Sequence, residues 1–179
     1  MQFESIGHYR HGAGRKYDVP RQGFLNAGNP GVVELLGGRG FEQGLRDLDG
    51  FERIWLLFQF DRNESWRPTV APPVPPRDGR RVGVFASRSP YRPNPIGLTC
   101  VRLLAVEGLR LVVDEADLLD GTPILDIKPY LPRADAFPEA RAGWVDEQAP
   151  EVWTVAESER FHVQAARIAA WQGPDLAAT

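Results

Sequence analysis

Short apolar runs separated by glycine- and proline-rich turns recur along the chain, and this pattern favours strands over long helices. The runs predict strands at residues 3–9, 32–36, 53–60, 96–106, 109–115 and 124–128. Glu107 and Gly108 separate two adjacent runs, which indicates a hairpin. Apolar residues recur at helical spacing at 41–48 and, near the end of the chain, at 156–171. These elements predict a mainly β fold, an antiparallel barrel or sandwich with small helical additions and a C-terminal helix.

The stretch RVGVFASRSPYRPNP, residues 81–95, begins as an apolar strand and then becomes a loop. Pro90, Pro93 and Pro95 lack a backbone N–H, and they restrict the residues before them to extended conformations. The loop therefore presents its polar side chains from a stiff backbone; they are Ser87, Arg88, Ser89, Tyr91, Arg92 and Asn94. A stiff polar loop loses little entropy when it binds a ligand, which is typical of a binding site. A rigid surface connector would have the same pattern.

Positive charge is concentrated in the middle of a chain whose formal net charge is −3. Between Trp66 and Arg92 there are six arginines and one acid, Asp78. This asymmetry favours a local anionic partner, although scattered surface charge would give the same count.

The cysteine content and the absence of targeting signals favour a reducing compartment. Cys100 is the one cysteine, so no internal disulfide forms, and its place in a predicted strand favours packing over a nucleophilic role. The first residues lack the basic-then-apolar pattern of a signal peptide. No apolar run reaches the ~18 residues of a membrane span. We therefore expect a cytoplasmic protein without a membrane segment.

Several common catalytic motifs are absent from the sequence. His8, His11 and His162 do not have metal-ligand spacing, and one cysteine cannot build a thiolate zinc site, so we expect no metal. There is no G-x-S-x-G elbow and no P-loop. The remaining polar groups are arginines, carboxylates and backbone amides in stiff loops, which suit the alignment of two polar substrates for a direct transfer.

Gly38, Gly40 and Gly44 approach the dinucleotide-binding pattern G-x-G-x-x-G ahead of the helix predicted at 41–48. Their spacing is one residue too long, and no further alternation of strands and helices follows. A Rossmann-like oxidoreductase is therefore a minor alternative.

Five longer motifs together resemble the TrmO family, also called TsaA-like. They are VPRQ at 19–22, LxxFxxIWLLFxF at 48–60, WRPTVxPP at 66–73, RxGVFASRSPxRPNPIGL at 81–98 and DLLDGTPILDIKPYLP at 117–132. The resemblance implies an antiparallel single-sheet β-barrel outside the usual methyltransferase folds. It also implies an S-adenosyl-L-methionine-dependent enzyme that methylates N6 of threonylcarbamoyl-adenosine at position 37 of tRNA, converting t6A to m6t6A. It covers residues 1–133 as the barrel domain and leaves 134–179 as a C-terminal extension with one amphipathic helix.

The resemblance further implies a homodimer with the cofactor near the subunit interface. The residues that would bind the cofactor are Pro20, Arg21, Gln22, Asp61, Arg62, Arg88, Leu98, Asp120, Gly121, Thr122, Pro123 and Ile124. Asp61 and Arg62 stand where many relatives have His-Gln. We expect Arg88 to bind the cofactor's carboxylate. The candidate catalytic residues are Asp120 and Tyr91, which would assist the loss of the N6 proton.

The tRNA is expected to contact the basic middle of the chain through Arg67, Arg81, Arg92 and Asn94. Arg92 or Arg21 would take the threonyl carboxylate of the modified base. The main alternative is a non-catalytic β-barrel that binds RNA or a nucleotide with the same groups. Methyl transfer to tRNA distinguishes the two functions.

Overall fold

The computed structural model describes residues 3–12, 26–73 and 76–147. The chain divides into two compact units. Within the described residues, the first unit comprises 3–12, 26–59 and 98–130, and the second comprises 60–73, 76–97 and 131–147. The predicted boundary between 133 and 134 stays a prediction.

A closed six-stranded barrel forms the first unit. In chain order the strands of the described residues are β1 (Gly7–Arg10), β2 (Gly31–Leu35), β3 (Arg53–Gln59), β4 (Thr69–Val70), β5 (Val82–Gly83), β6 (Ile96–Glu107), β7 (Arg110–Asp114) and β8 (Pro123–Pro129). The barrel order is β1-β2-β7-β6-β3-β8, and β4 and β5 pair separately. The pairs β1–β2, β1–β8, β2–β7, β3–β8 and β6–β7 are antiparallel. The predicted mainly β, antiparallel barrel is therefore confirmed.

Alternation along the strands places one set of side chains inside the barrel. In β6, Thr99, Val101 and Leu103 are buried. Cys100 lies on the opposite face of the same strand and is half-buried, which fits a packing role. The barrel interior is completed by fully buried residues of the other strands, namely Tyr9, Val33, Ile54, Leu56, Leu111, Val113 and Ile124.

Two predicted elements are shorter than the sequence pattern indicates. The first strand begins at Gly7 and not at residue 3, and Phe3 is 63% exposed. The helix predicted at 41–48 is limited to α1 (Phe41–Gly44), followed by a 3-10 turn at Leu48–Gly50. A continuous helix over 41–48 is interrupted at Asp47, whose backbone is left-handed with a φ of 65°. Leu45 and Leu48 are nonetheless buried, as their helical spacing suggests.

The antiparallel barrel excludes the Rossmann-like alternative, which needs parallel strands joined by helices. Gly38 and Gly40 both have a φ of 73°, so these glycines permit left-handed turns ahead of α1. A helix of four residues supplies no long dipole for a pyrophosphate.

The second unit has a small apolar core around the β4–β5 pair. Val70, Val82 and Val84 are buried, and Tyr91 and Trp144 pack against them. The strand predicted to start at residue 81 is limited to Val82–Gly83, and a 3-10 turn at Val84–Ala86 follows it. The unit also contains α2 (Pro132–Asp135) and a 3-10 turn at Gly143–Glu147.

The helix predicted at 156–171 lies outside the described residues. Within 3–12, 26–73 and 76–147, no helix is long and apolar enough to cross a membrane.

We predict that Gly31→Ala destabilises the barrel by about 1–3 kcal/mol, as overpacking of a core does. A Cβ at position 31 would overlap the hydroxyl and Cζ of the fully buried Tyr9. Gly44→Ala is the matched control, since a Cβ there meets nothing within 4 Å. Urea unfolding should show a lower midpoint for Gly31→Ala and an unchanged or slightly higher one for Gly44→Ala. Equal stabilities of the two variants would contradict the close contact between Gly31 and Tyr9.

Candidate functional site

The acidic turn, residues 117–122 just before β8, is held against β1 by backbone hydrogen bonds. Gly121 N donates to Tyr9 O at 2.8 Å, and Tyr9 N donates to Thr122 O at 2.9 Å. Just beyond β1, the His11 amide donates to Asp120 Oδ1 at 3.0 Å. These bonds orient the Asp120 carboxylate and place it beside His11 at one end of the barrel unit.

A second carboxylate, Asp114, organises the chain just before this turn. Its oxygens accept hydrogen bonds from the amides of Gly28, Asn29 and Glu115 at 2.8–3.2 Å. Asn26 Nδ2 donates to Ala116 O at 2.7 Å, so the segment at 26–29 is joined to 114–116 by side-chain and backbone contacts. Asp114 is 6% exposed, and these N–H donors satisfy the hydrogen-bonding capacity of its buried oxygens.

Glu115 has an unusual backbone for a non-glycine residue, with φ of 62°. Its carboxylate forms an ion pair with Arg53 of β3, with Nη2 and Oε2 2.8 Å apart. Burial opposes the charged form of Arg53, but the hydrogen bond and charge of Glu115 outweigh it and raise the pKa of Arg53. This ion pair links Glu115, which lies just before the acidic turn, to β3 of the barrel.

Tyr9 and His11 are buried beside these carboxylates, and their rings stack with centroids 5.9 Å apart. Burial raises the pKa of the Tyr9 phenol far above its usual range, and Asp114, Asp117 and Asp120 add to the shift. Burial lowers the pKa of His11 below its usual value, although Asp120 acts in the opposite direction. Both rings are therefore neutral near pH 7.

The predicted cofactor residues of the first unit differ in accessibility. Thr122 is 6% exposed and Ile124 is fully buried, so their side chains are part of the barrel interior. Asp120, Gly121 and Pro123 are half-buried, whereas Leu98 of β6 is 54% exposed. Asp120, Gly121 and Thr122 lie in the turn before β8, and Pro123 and Ile124 are the first residues of that strand. Pro20, Arg21 and Gln22 lie outside the described residues.

The proline-rich loop of the second unit is braced by its own side chains. Arg92 Nη1 donates to Val84 O at 3.1 Å and to Ser87 O at 2.9 Å. Ser87 Oγ donates to Val84 O at 2.9 Å and accepts from Ser89 N at 3.3 Å. These bonds brace the loop, which agrees with the stiffness expected from its prolines, and they give Arg92 a structural contact that the sequence pattern did not indicate.

The other predicted residues of the second unit lie on its surface. Asp61 and Arg62 are exposed in the turn that follows β3. The Arg67 guanidinium lies 4.7 Å from the Tyr91 ring centroid. Arg81 donates from Nε to Thr69 Oγ1 at 3.2 Å and from Nη2 to Thr69 O at 2.6 Å.

Arg88 and Asn94 are exposed, and neither side chain forms a hydrogen bond or an ion pair with any residue that the structure describes. Of the predicted cofactor residues, Arg88 thus offers a guanidinium whose donors are not engaged within the described chain. The sequence assignment of Arg88 as a carboxylate ligand fits this environment but stays a prediction.

Sequence reasoning missed the segment at 143–147, which contacts the loop. Trp144 Nε1 donates to Ala86 O at 2.8 Å. Arg77 Nε donates to Glu147 O at 2.6 Å, and Arg80 lies 3.5 Å from Glu147 Oε1. A lone tryptophan in an otherwise irregular stretch was the one available signal. Its partners are 58 and more residues away in sequence, so no local pattern identifies them.

Within residues 3–12, 26–73 and 76–147, no group of three or more His, Cys, Asp or Glu side chains is placed to hold a metal ion.

Comparison with known proteins gives a consistent family match. A model of the tRNA-methyltransferase O N-terminal domain matches residues 10–136. The tRNA (adenine(37)-N6)-methyltransferase of Escherichia coli K12 is 42% identical over 158 residues, which cover 84% of this chain and 66% of that protein. A Pseudomonas aeruginosa protein, named provisionally as the S-adenosylmethionine-dependent methyltransferase RcsF, is 39% identical over 91% of this chain and 72% of its own length.

The fold is also similar to a solved structure. A crystal structure of TrmO from Pseudomonas aeruginosa superposes with a TM-score of 0.66 at 39% identity and covers 80% of this chain. The present chain covers 62% of that solved chain. It thus spans less than two thirds of the length of the E. coli relative and of this solved protein.

We predict that His11 makes the barrel less stable at mildly acidic pH. The unfolded chain takes up a proton near the ordinary pKa of 6.5, while the folded chain takes it up only at lower pH. The unfolded state thus binds more protons between these two values, so the free energy of unfolding falls as the pH drops through this window and is fully retained above about 6.5. His11→Gln should reduce this dependence in urea unfolding between pH 8 and 5.

His8→Gln is the matched control, because His8 lies in β1 three residues before His11, is only half-buried, and its side chain forms no hydrogen bond, ion pair or ring contact with the described residues. A pH dependence that persists in His11→Gln would show that another group causes it.

Proposed function

The chain belongs to the family of the tRNA-methyltransferase O N-terminal domain, and we propose that it transfers a methyl group from S-adenosyl-L-methionine to N6 of adenine 37 in tRNA. The observation that carries the proposal is the extent of the match. It spans residues 10–136 and so includes both the proline-rich loop and the acidic turn. As the acceptor we propose threonylcarbamoyl-adenosine, converted from t6A to m6t6A.

The described residues fit the cofactor chemically. The amino-acid end of S-adenosyl-L-methionine carries a carboxylate, and the Arg88 guanidinium is exposed with no partner among the described residues. The segment 120–124, which comprises the turn and the start of β8, contributes a carboxylate and backbone polar groups held in place by hydrogen bonds to β1 and its flanking residues. Pro20, Arg21, Gln22, Asp61, Arg62 and Leu98 complete the proposed cofactor site.

The cofactor, when bound, supplies an electrophilic methyl group, so the protein needs neither a metal nor a covalent intermediate. The chain's own contribution is then alignment and removal of a proton. A carbamoylated N6 is a weak nucleophile, and its attack is helped when a nearby group accepts the N6 proton. We assign this role to Asp120, whose carboxylate is oriented by the His11 amide, or to Tyr91, whose ring is held under Arg67.

The tRNA is proposed to bind through exposed cations of the second unit. Arg67 and Arg81 are exposed, and Asn94 presents an amide from the braced loop. Arg92 binds the carbonyls of Val84 and Ser87, so it positions the loop as well as adding positive charge near the threonyl carboxylate. We further propose a homodimer with the cofactor near the subunit interface, in a cytoplasmic enzyme.

The direct test is methyl transfer from labelled S-adenosyl-L-methionine to tRNA that carries threonylcarbamoyl-adenosine. Mass spectrometry of the released nucleosides should show a gain of one methyl group on that nucleoside alone. Unmodified tRNA, with plain adenine at position 37, is the control for the acceptor. Binding of tRNA without any transfer would instead support the non-catalytic RNA-binding module.

We predict that Arg88→Ala weakens binding of S-adenosyl-L-methionine by about 1.5–3 kcal/mol, the range for a hydrogen bond to a charged group. This corresponds to roughly a tenfold to hundredfold rise in Kd by titration calorimetry. Arg133→Ala is the matched control, because Arg133 of α2 is also an exposed arginine of the second unit. Equal cofactor affinity in the two variants would remove Arg88 from the site.

A further inference from the structure

Phe85 is the most exposed large hydrophobic side chain among the described residues, with 76% of its surface accessible. It lies at the centre of the 3-10 turn Val84–Ala86, at the start of the braced loop. A phenylalanine left in water forgoes the favourable free energy that burial of its ring would give. A single exposed phenylalanine needs no functional explanation by itself, so the surroundings of Phe85 decide its meaning.

The backbone on both sides of Phe85 is fixed by hydrogen bonds. Val84 is 1% exposed, its amide donates to Pro68 O at 3.0 Å, and its carbonyl accepts from Arg92 Nη1 and Ser87 Oγ. Ala86 O accepts from Trp144 Nε1 at 2.8 Å. Phe85 is thus presented outward from a rigid turn, and ordering it for a ligand costs little further entropy.

A cation lies against the same ring. The Arg92 guanidinium carbon is 5.7 Å from the Phe85 centroid, while Arg92 Nη1 binds the carbonyls beside it. The same unit exposes a second aromatic side chain, Trp66 (53%), next to Arg67. Exposed aromatic rings among arginines are the combination with which proteins bind unpaired nucleotides: the rings stack on bases and the cations attract phosphates.

We propose that Phe85 is a stacking platform for an unpaired base of the tRNA anticodon loop. The inference rests on the proposed function and adds a residue that determines how the RNA is positioned. A base would stack on the accessible part of the phenyl ring, while Arg92 fixes the turn and contributes positive charge. Since stacking tolerates any base, Phe85 would set the placement of the loop and not its sequence.

The test uses an anticodon stem-loop that carries threonylcarbamoyl-adenosine and has 2-aminopurine at an unpaired position beside it. Stacking of 2-aminopurine changes its fluorescence, so binding to the wild-type protein should change the signal. Phe85→Ala should abolish that change and raise KM for the stem-loop by about 5- to 100-fold, the effect of losing one stacked base. Phe85→Trp should retain the change, because a larger ring also stacks.

Two variants separate stacking from other roles. Phe85→Leu keeps an apolar side chain but has no ring, so it should behave like Phe85→Ala if the contact is a stack. Phe137→Ala is the matched control, since Phe137 is 71% exposed in the same unit and contacts no arginine among the described residues. It should leave both KM and the fluorescence change unaltered.

The outcomes distinguish failure of this inference from failure of the proposed function. If the wild-type protein methylates the stem-loop and Phe85→Ala does so with the same KM and the same fluorescence change, the platform does not exist. If Phe85→Ala changes the Kd for S-adenosyl-L-methionine, or the oligomeric state by analytical ultracentrifugation, the ring serves the cofactor or a second copy and the inference is overturned. If the wild-type protein transfers no methyl group to tRNA, the proposed function itself fails.

Discussion

Closure of the barrel between β1 and β8 is the constraint on which the first unit depends. β1 has only four residues, yet it pairs with β2 on one side and with β8 on the other. The bonds Ile6 N–Ile124 O, Tyr9 N–Thr122 O and Gly121 N–Tyr9 O run from the strand directly into the acidic turn. A closed barrel has no free edge at which this pairing could slip. The position of Asp120 is therefore fixed by the same hydrogen bonds that complete the sheet.

The second unit depends on side-chain hydrogen bonds, because three prolines remove backbone donors from its loop. Carbonyls of such a loop cannot be satisfied by a regular ladder, so they need donors from side chains. Arg92 and Ser87 supply them to Val84 and Ser87, and Trp144 supplies one to Ala86. Arg92, although it lies in a basic stretch, thus donates hydrogen bonds to backbone carbonyls. These bonds also fix the position of its charge. This is why a count of arginines does not reveal which of them is available to a ligand.

The sequence was informative wherever the structure depends on neighbours in the chain. The alternation of apolar and polar residues predicted the strands to within a few residues of their observed bounds, because successive side chains point to opposite faces of a strand. The stiffness of the 81–95 loop was predictable because proline restricts its own backbone. Local pattern did not reveal the carboxylate of Asp114, whose Gly28 and Asn29 donors lie 86 and 85 residues away. Nor did it reveal that Asp47 adopts a left-handed backbone, which shortens the predicted helix.

The role of Trp144 shows how far the loop depends on residues outside the family-defining part of the chain. The family match ends at residue 136, whereas Trp144 lies beyond it and closes the apolar core under the loop. Its hydrogen bond to Ala86 fixes the carbonyl next to Phe85, and Arg77 and Arg80 bind Glu147 three residues further on. A loop whose carbonyls are bound in this way has little freedom to rearrange. Its exposed Arg88 and Phe85 side chains are presented to solvent from a preformed backbone, which suits the RNA binding and methyl transfer proposed above.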